Sequence, residues 1–326
     1  MTLQSISAIQ WNNYRHAYGS AADIPELLNR IAGDNYDDSE EASRELFEKI
    51  CHQDVIEDVA PQVIDPLVDI LLMASDQVCR WHPLNGILTL LRSASLYHPL
   101  PGFTPYRRRF MGDMPAELRV QGVQRLAAIR EVLWQKLKDR TDDLVVLFES
   151  EIEEKAKCQL VQLLLLLSPA HLKGAAVNAN TLAAQALLEN SVDRLGELAA
   201  LLGDDLPGVF RMERLDYEEF PWYDGSIAGL AAEIIAKGWP QSAAVPFLQE
   251  RLHEVAGTDN EEEMIFWGWT TPMLIADRIL SLVFDRFAGT LERVGELTGY
   301  EQEILAFLKE MKVEMPNLGY YGLDQV

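Results

Sequence analysis

The sequence predicts an all-α fold, a superhelix of stacked antiparallel helix pairs. Three observations carry this expectation. Apolar residues recur at helical spacing along most of the chain. No run of alternating β-branched residues bounded by turns argues for a sheet. A proline-led helix start recurs at a repeat-like distance.

Six helices stand out. In residues 40–50, Ala42, Leu46, Phe47 and Ile50 share one face, while Glu41, Arg44, Glu45 and Glu48 take the others. Asp38 and Ser39 are the N-cap candidates there. Ile152, Ala156, Leu160 and Leu164 mark a second helix, with Lys155 and Lys157 off its face. Its apolar run around residues 163–167 is too short to span a bilayer and reads as buried. The third helix, residues 183–202, is rich in Ala and Leu and closes at Gly203. The fourth covers residues 227–236 and stops at Gly238, and the fifth covers residues 273–287 and stops at Gly289. The sixth covers residues 301–311.

Ile24-Pro25-Glu26-Leu27, Asp65-Pro66-Leu67-Val68 and Val245-Pro246-Phe247-Leu248 share a pattern. Proline suits a first helical turn, where its missing N–H is no loss. Each proline is followed by two apolar residues on one face: Leu27 and Ile31, Val68 and Leu72, Leu248 and Leu252. Pro25 and Pro66 lie 41 residues apart, within the period of HEAT and armadillo repeats. The expected organisation is one HEAT-like helical-repeat domain over residues 1–326. Residues 1–22 form its N-terminal cap, 97–115 and 204–225 interrupt it as loops, and 316–326 are an irregular tail.

The charge balance is unusual: 28 Lys and Arg face 51 Asp and Glu, a formal net charge of −23. Such a surface repels phosphate backbones and anionic lipid, and would steer a basic partner inward. Nucleic acid and membrane are therefore not expected as partners. Cys51, Cys79 and Cys158 are odd in number and widely spaced, so a disulfide framework is not expected. With no basic-then-apolar leader in residues 1–10, the expected location is cytoplasmic.

At the N-terminus, Trp11-Asn12-Asn13-Tyr14-Arg15-His16-Ala17-Tyr18-Gly19 runs into Asp23-Ile24-Pro25, and Ile50-Cys51-His52-Gln53 and Val63-Ile64-Asp65-Pro66 follow. This resembles the opening of a group of bacterial HEAT-repeat proteins of uncharacterised function, over roughly the first 75 residues. The resemblance implies a helical-repeat fold and a bacterial origin, and no activity. Where that group commonly has glycine after His-Gln, this chain has Asp54. Some helical-repeat proteins of this look serve as immunity partners of toxins, which is an analogy of fold.

Several constellations bear on chemistry. His52 follows a helix end, where a cation is favoured, so a capping role is preferred over a groove role. His16 and Tyr18 flank a turn and are expected to lock the N-terminal cap onto the first repeat. Cys79 and His82 have C-x-x-H spacing but lack a second pair, so no metal and no cofactor is expected. No phosphate loop, dinucleotide fingerprint or nucleophile elbow occurs. Glu149, Glu151, Glu153 and Glu154 read as a solvated helix face. Arg107, Arg108 and Arg109 form the one basic patch, fit to grip an anion but preferred as partners of the chain's own acids.

The binding candidates are Asp216, Tyr217, Glu219, Trp222 and Tyr223 on one loop, then Glu262, Trp267 and Trp269. Acids would steer and aromatics anchor a basic protein or peptide, such as a toxin. An equal reading packs the aromatics inward and turns the acids to water. The expected function is thus a non-enzymatic binding scaffold with an acidic, aromatic-bearing groove. The alternative is a helical-repeat enzyme or small-molecule binder, such as a bilin-lyase-like protein.

Overall fold

The computed structural model describes residues 3–52, 55–73, 80–95, 100–104, 116–150, 153–256, 269–284, 296–313, 318–321 and 323. Among these the chain is mostly helical, with fourteen α-helices and two short β-hairpins. It packs as two compact units: Met1–His98 with Val120–Ala175, and Pro99–Arg119 with Ala176–Val326. No described helix is long and apolar enough to cross a membrane.

The first unit opens with α1 (Gln4–Ser7) and a hairpin of β1 (Arg15–His16) and β2 (Gly19–Ser20). Two residues per strand are too few to show an alternating pattern, which is why the sequence does not announce them. α2 (Ile24–Ile31) carries Pro25 in its first turn, as expected, and buries Ile24, Leu27, Leu28 and Ile31 against α3 (Tyr36–Ile50). α3 begins four residues before the expected start. Asn35 caps it through the Asp38 backbone N–H (3.1 Å), and the Ser39 hydroxyl instead donates to the Ile31 carbonyl (3.0 Å). A second hairpin, β3 (Cys51–His52) with β4 (Val55–Ile56), follows directly.

α4 (Ile64–Met73) and α5 (Trp81–Ala94) pack together, burying Leu67, Val68 and Leu71 with Leu84, Ile87 and Leu91. Leu72, expected inside beside Val68, is 38% exposed near the end of α4. From α6 (Ala116–Asp139), Lys136 reaches Asp65 at 2.5 Å; Arg140, just beyond, bonds Asp69 and Asp143, both at 2.6 Å. These bonds tie the corner between α6 and α7 (Thr141–Glu149) to α4. α8 (Glu154–Leu167) is the expected buried helix, with Leu160, Leu163 and Leu164 in the core. The acidic run is not one helix face: Glu149 ends α7, Glu153 precedes α8 and Glu154 begins it. Residue 151 lies outside the described residues.

In the second unit, the single helix expected over residues 183–202 is two: α9 (Ala179–Glu189) and α10 (Val192–Leu201). Asn190 stops α9 in the left-handed region (φ 47°, ψ 42°), which asparagine tolerates better than most residues. Ser191 then caps α10 through the Arg194 N–H at 3.2 Å. Asn190→Ala should lower the stability of this unit by about 1 kcal/mol, because Ala resists that conformation. A urea titration checks this, and an unchanged midpoint would show that the turn relaxes freely.

α11 (Ile227–Gly238), α12 (Gln241–Val255), α13 (Thr271–Phe284) and α14 (Gly299–Glu310) complete the unit. α11 ends at the expected glycine. α12 starts five residues before Pro246, so that proline sits inside a helix and does not begin one. The cause lies upstream: Pro240, extended at ψ 143°, is the residue from which α12 departs. α13 runs from Thr271 to Phe284, and the expected continuation to 287 lies outside the described residues. Between α10 and α11, residues 204–225 hold only two 3-10 turns, Gly208–Arg211 and Trp222–Gly225, as the expected interruption requires.

Candidate binding surface

The loop between α10 and α11 divides its side chains sharply. Asp204, Asp205, Glu213, Asp216 and Glu219 are exposed, and Tyr217 is half-buried. Phe220, Trp222 and Tyr223 are core residues. The Trp222 indole N–H donates to Asn180 Oδ1 (2.9 Å) on α9, and Asn180 Nδ2 donates back to the Glu219 carbonyl (2.8 Å). Trp222 also covers Gly102: a Cβ on that glycine would fall 2.6 Å from the indole ring, and its φ of +77° suits glycine.

Tyr223 points the other way, into the space between α11 and α13. Its phenol donates to Glu233 Oε2 at 2.5 Å, and Oε2 also accepts the Gly102 N–H at 2.9 Å. Lys237, one turn along α11, bonds the other carboxylate oxygen. On α13, Arg278 pairs with Asp277 at 2.9 Å and contributes its field to the same cluster. Burial pushes the Glu233 carboxyl up, but Lys237 and Arg278 outweigh it and hold it below the usual carboxylate range. Burial and Glu233 push the Tyr223 phenol well above its ordinary value. Two cations and two carboxylates thus balance one another, with Glu233 and Asp277 buried and Lys237 reaching toward water.

Tyr223 and Asp224 both occupy the left-handed region, at φ 49° and 51°, and Gly225 follows at φ 90°. Gly225 has no alternative, since a Cβ there would meet the Leu215 carbonyl oxygen at 2.1 Å. Arg214 clamps the turn by donating to the carbonyls of Tyr223 (3.3 Å), Asp224 (3.1 Å) and Trp269.

The aromatics expected as surface anchors are thus corrected: Trp222, Tyr223 and Trp269 are all buried and support the loop from within. The acids Asp216 and Glu219 do face water. Glu262, Trp267, Arg107, Arg108 and Arg109 lie outside the described residues. Glu233 was missed, although a lone acid on an apolar helix, four residues before a lysine, signals a buried ion pair.

A second polar cluster lies at the start of the first unit and gathers the N-terminal motif. His16 Nδ1 accepts the Tyr18 backbone N–H (3.1 Å), so its Nε2 carries the proton donated to Asp23 Oδ1 (3.1 Å). Lys49 bonds Asp23 Oδ2 at 2.7 Å. Partial burial works to raise the Asp23 carboxyl, but Lys49 and His16 hold it below its ordinary value. The Tyr18 phenol donates to Glu48 (3.1 Å) and sits 2.9 Å from His52 Nδ1, which must then be the donor. These bonds fasten the β1–β2 hairpin to the end of α3, the locking role expected for His16 and Tyr18. Both ring nitrogens of His16 are engaged in these bonds.

Cys51 is half-buried, with its Sγ 3.1 Å from the Ser93 hydroxyl, and Cys158 is buried. Cys79 lies outside the described residues. Among the described residues no three His, Cys, Asp or Glu side chains converge to hold a metal ion. No family model, curated protein or solved structure matches this chain.

Proposed function

We propose that this protein is a non-enzymatic binding scaffold whose second unit offers the acids of residues 204–219 to a basic segment of a protein partner. The observation that carries this reading is the division of one loop into exposed carboxylates and a buried, hydrogen-bonded aromatic floor. A loop held from beneath loses little freedom when a partner docks, which favours affinity. The formal charge of −23 steers a cationic segment toward the chain as a whole.

We further read the helices as HEAT-type pairs of a bacterial, cytoplasmic solenoid. Consecutive helices pack together in both units: α2 with α3, α4 with α5, α7 with α8, α9 with α10 and α12 with α13.

The test is binding of a Lys/Arg-rich helical peptide, followed by calorimetry at rising salt. Neutralising Glu213, Asp216 and Glu219 together (to Gln, Asn and Gln) should weaken binding roughly fivefold to tenfold and flatten the salt dependence, as expected for exposed ion pairs. Neutralising the exposed Asp37, Glu40 and Glu41 of α3 is the control. Equal losses from both sets would reduce the effect to net charge and remove the loop from the reading.

A further inference from the structure

Among the described histidines, His16 is the buried one. It ends β1, and the turn residues that follow, Ala17 and Tyr18, are exposed. Its Nε2 donates to Asp23 and its Nδ1 accepts the Tyr18 backbone N–H, each at 3.1 Å. A backbone N–H can only donate, so Nδ1 must hold a lone pair in this geometry. An imidazolium carries a proton on both nitrogens. Protonating His16 therefore sets two donors against each other inside the turn. Turning the ring over gives no relief, because neither nitrogen of the charged ring can accept.

The charged groups around the ring do not cancel this conflict. Asp23, on the 3-10 turn Ala21–Asp23, favours the charged ring, but its side chain is 42% exposed. Lys49 of α3 already bonds its Oδ2 at 2.7 Å, and Glu45 bonds Lys49 at 2.7 Å. A further charge on so exposed and so matched a carboxylate adds little. Glu48 of α3 and His52 of β3 meet the Tyr18 phenol, and Arg15 of β1 is exposed. His52 differs from His16: its Nδ1 donates to the phenol in either charge state, so its own protonation breaks neither bond. The part that the conflict loosens is small and buries no side chain. Its other ties are the Ala17 N–H on the Lys49 carbonyl (3.0 Å) and the Tyr18 phenol on Glu48 and His52.

We propose that His16 is a proton-sensitive latch. Neutral, it closes the Ala17–Tyr18 turn against the end of α3. Protonated, it releases the Tyr18 backbone, and with it the phenol from Glu48 and His52. The rest of α3 keeps its place, because Leu46 and Ile50 are held by the core and not by the turn.

NMR of the full chain at falling pH tests the latch. The readings are the His16 ring signals and the amide protection of Tyr18, against that of Leu46 and Ile50. Protection is taken relative to an unstructured chain at each pH, which removes the intrinsic pH dependence of exchange. Tyr18 protection should fall roughly fivefold to tenfold along the His16 ring titration, as expected for one lost hydrogen bond, while Leu46 and Ile50 hold. His16→Asn still offers an acceptor to the N–H two residues on, as asparagine does in turns, and takes up no proton. Its Tyr18 protection should stay level over the same range. An equal fall in His16→Asn would overturn the proposal and assign the acid response to Asp23 or Glu48. Wild-type Tyr18 protection that stays level, or falls with a midpoint apart from that of the His16 ring, would overturn it even if the Asn variant does not fold. So would a ring that stays neutral until the whole unit unfolds.

Discussion

Trp222→Ala is expected to lower the stability of the second unit by about 3–5 kcal/mol, in the range for removing a large buried aromatic. Trp222 is fully buried and bridges two parts of its unit, lying over Gly102 and bonding Asn180 on α9. Its removal leaves a cavity and strips the Asn180 carbonyl of its donor, so two costs add. Trp222→Phe refills much of the volume and keeps only the hydrogen-bond loss, so it should lie well between wild type and Ala. Chemical denaturation with a probe in the second unit measures both. If Trp222→Ala unfolded at the wild-type midpoint, the indole would not be part of the core, and a role as a surface anchor would return.

Glu233→Ala is the second large effect, expected at about 2–5 kcal/mol, because it leaves two buried donors without an acceptor at about 1–3 kcal/mol each. Glu233 is 2% exposed and accepts from Lys237, Tyr223 and the Gly102 backbone. Lys237 can turn to water, but the Tyr223 phenol and the Gly102 N–H remain buried without their acceptor. The same residue gives a pH signature. Its folded-state carboxyl lies below the ordinary value, so the unfolded chain takes up a proton first as pH falls. The stabilisation is therefore present above about pH 5 and is lost as pH drops below about 4.3 through the lower folded value. Glu233→Gln should be less stable at neutral pH and flatter through that acid range. An acid limb as steep as wild type would assign the dependence to other carboxylates.

Much of the fold was legible because helices write their period into the chain. The faces of α2, α3, α8 and α11 follow from apolar spacing, and Gly238 marks the end of α11. The misses have local causes. Asn190 and Ser191 carry a stop and a cap, but continuous Ala and Leu on both sides hides them. Pro246 looks like a helix start, although α12 departs from Pro240. At the N-terminus, the residues that form the distinctive motif do meet in space, through bonds from His16 to Asp23 and from Tyr18 to Glu48.

The candidate surface was only half legible. Sequence alone determined that residues 204–225 interrupt the helices, that they are rich in acids and aromatics, and that the whole chain is strongly acidic. It could not decide which way Trp222 and Tyr223 face, because a loop has no period to sort inside from outside. Only tertiary structure decided that, by bringing Asn180, Gly102 and Glu233 within hydrogen-bond reach of the loop and its two aromatics. Lys237 could be paired with Glu233 by counting one helical turn, whereas Arg278 joins them from another helix. Local spacing is written in the order of residues; the long-range partner of a buried charge is fixed only when the helices pack.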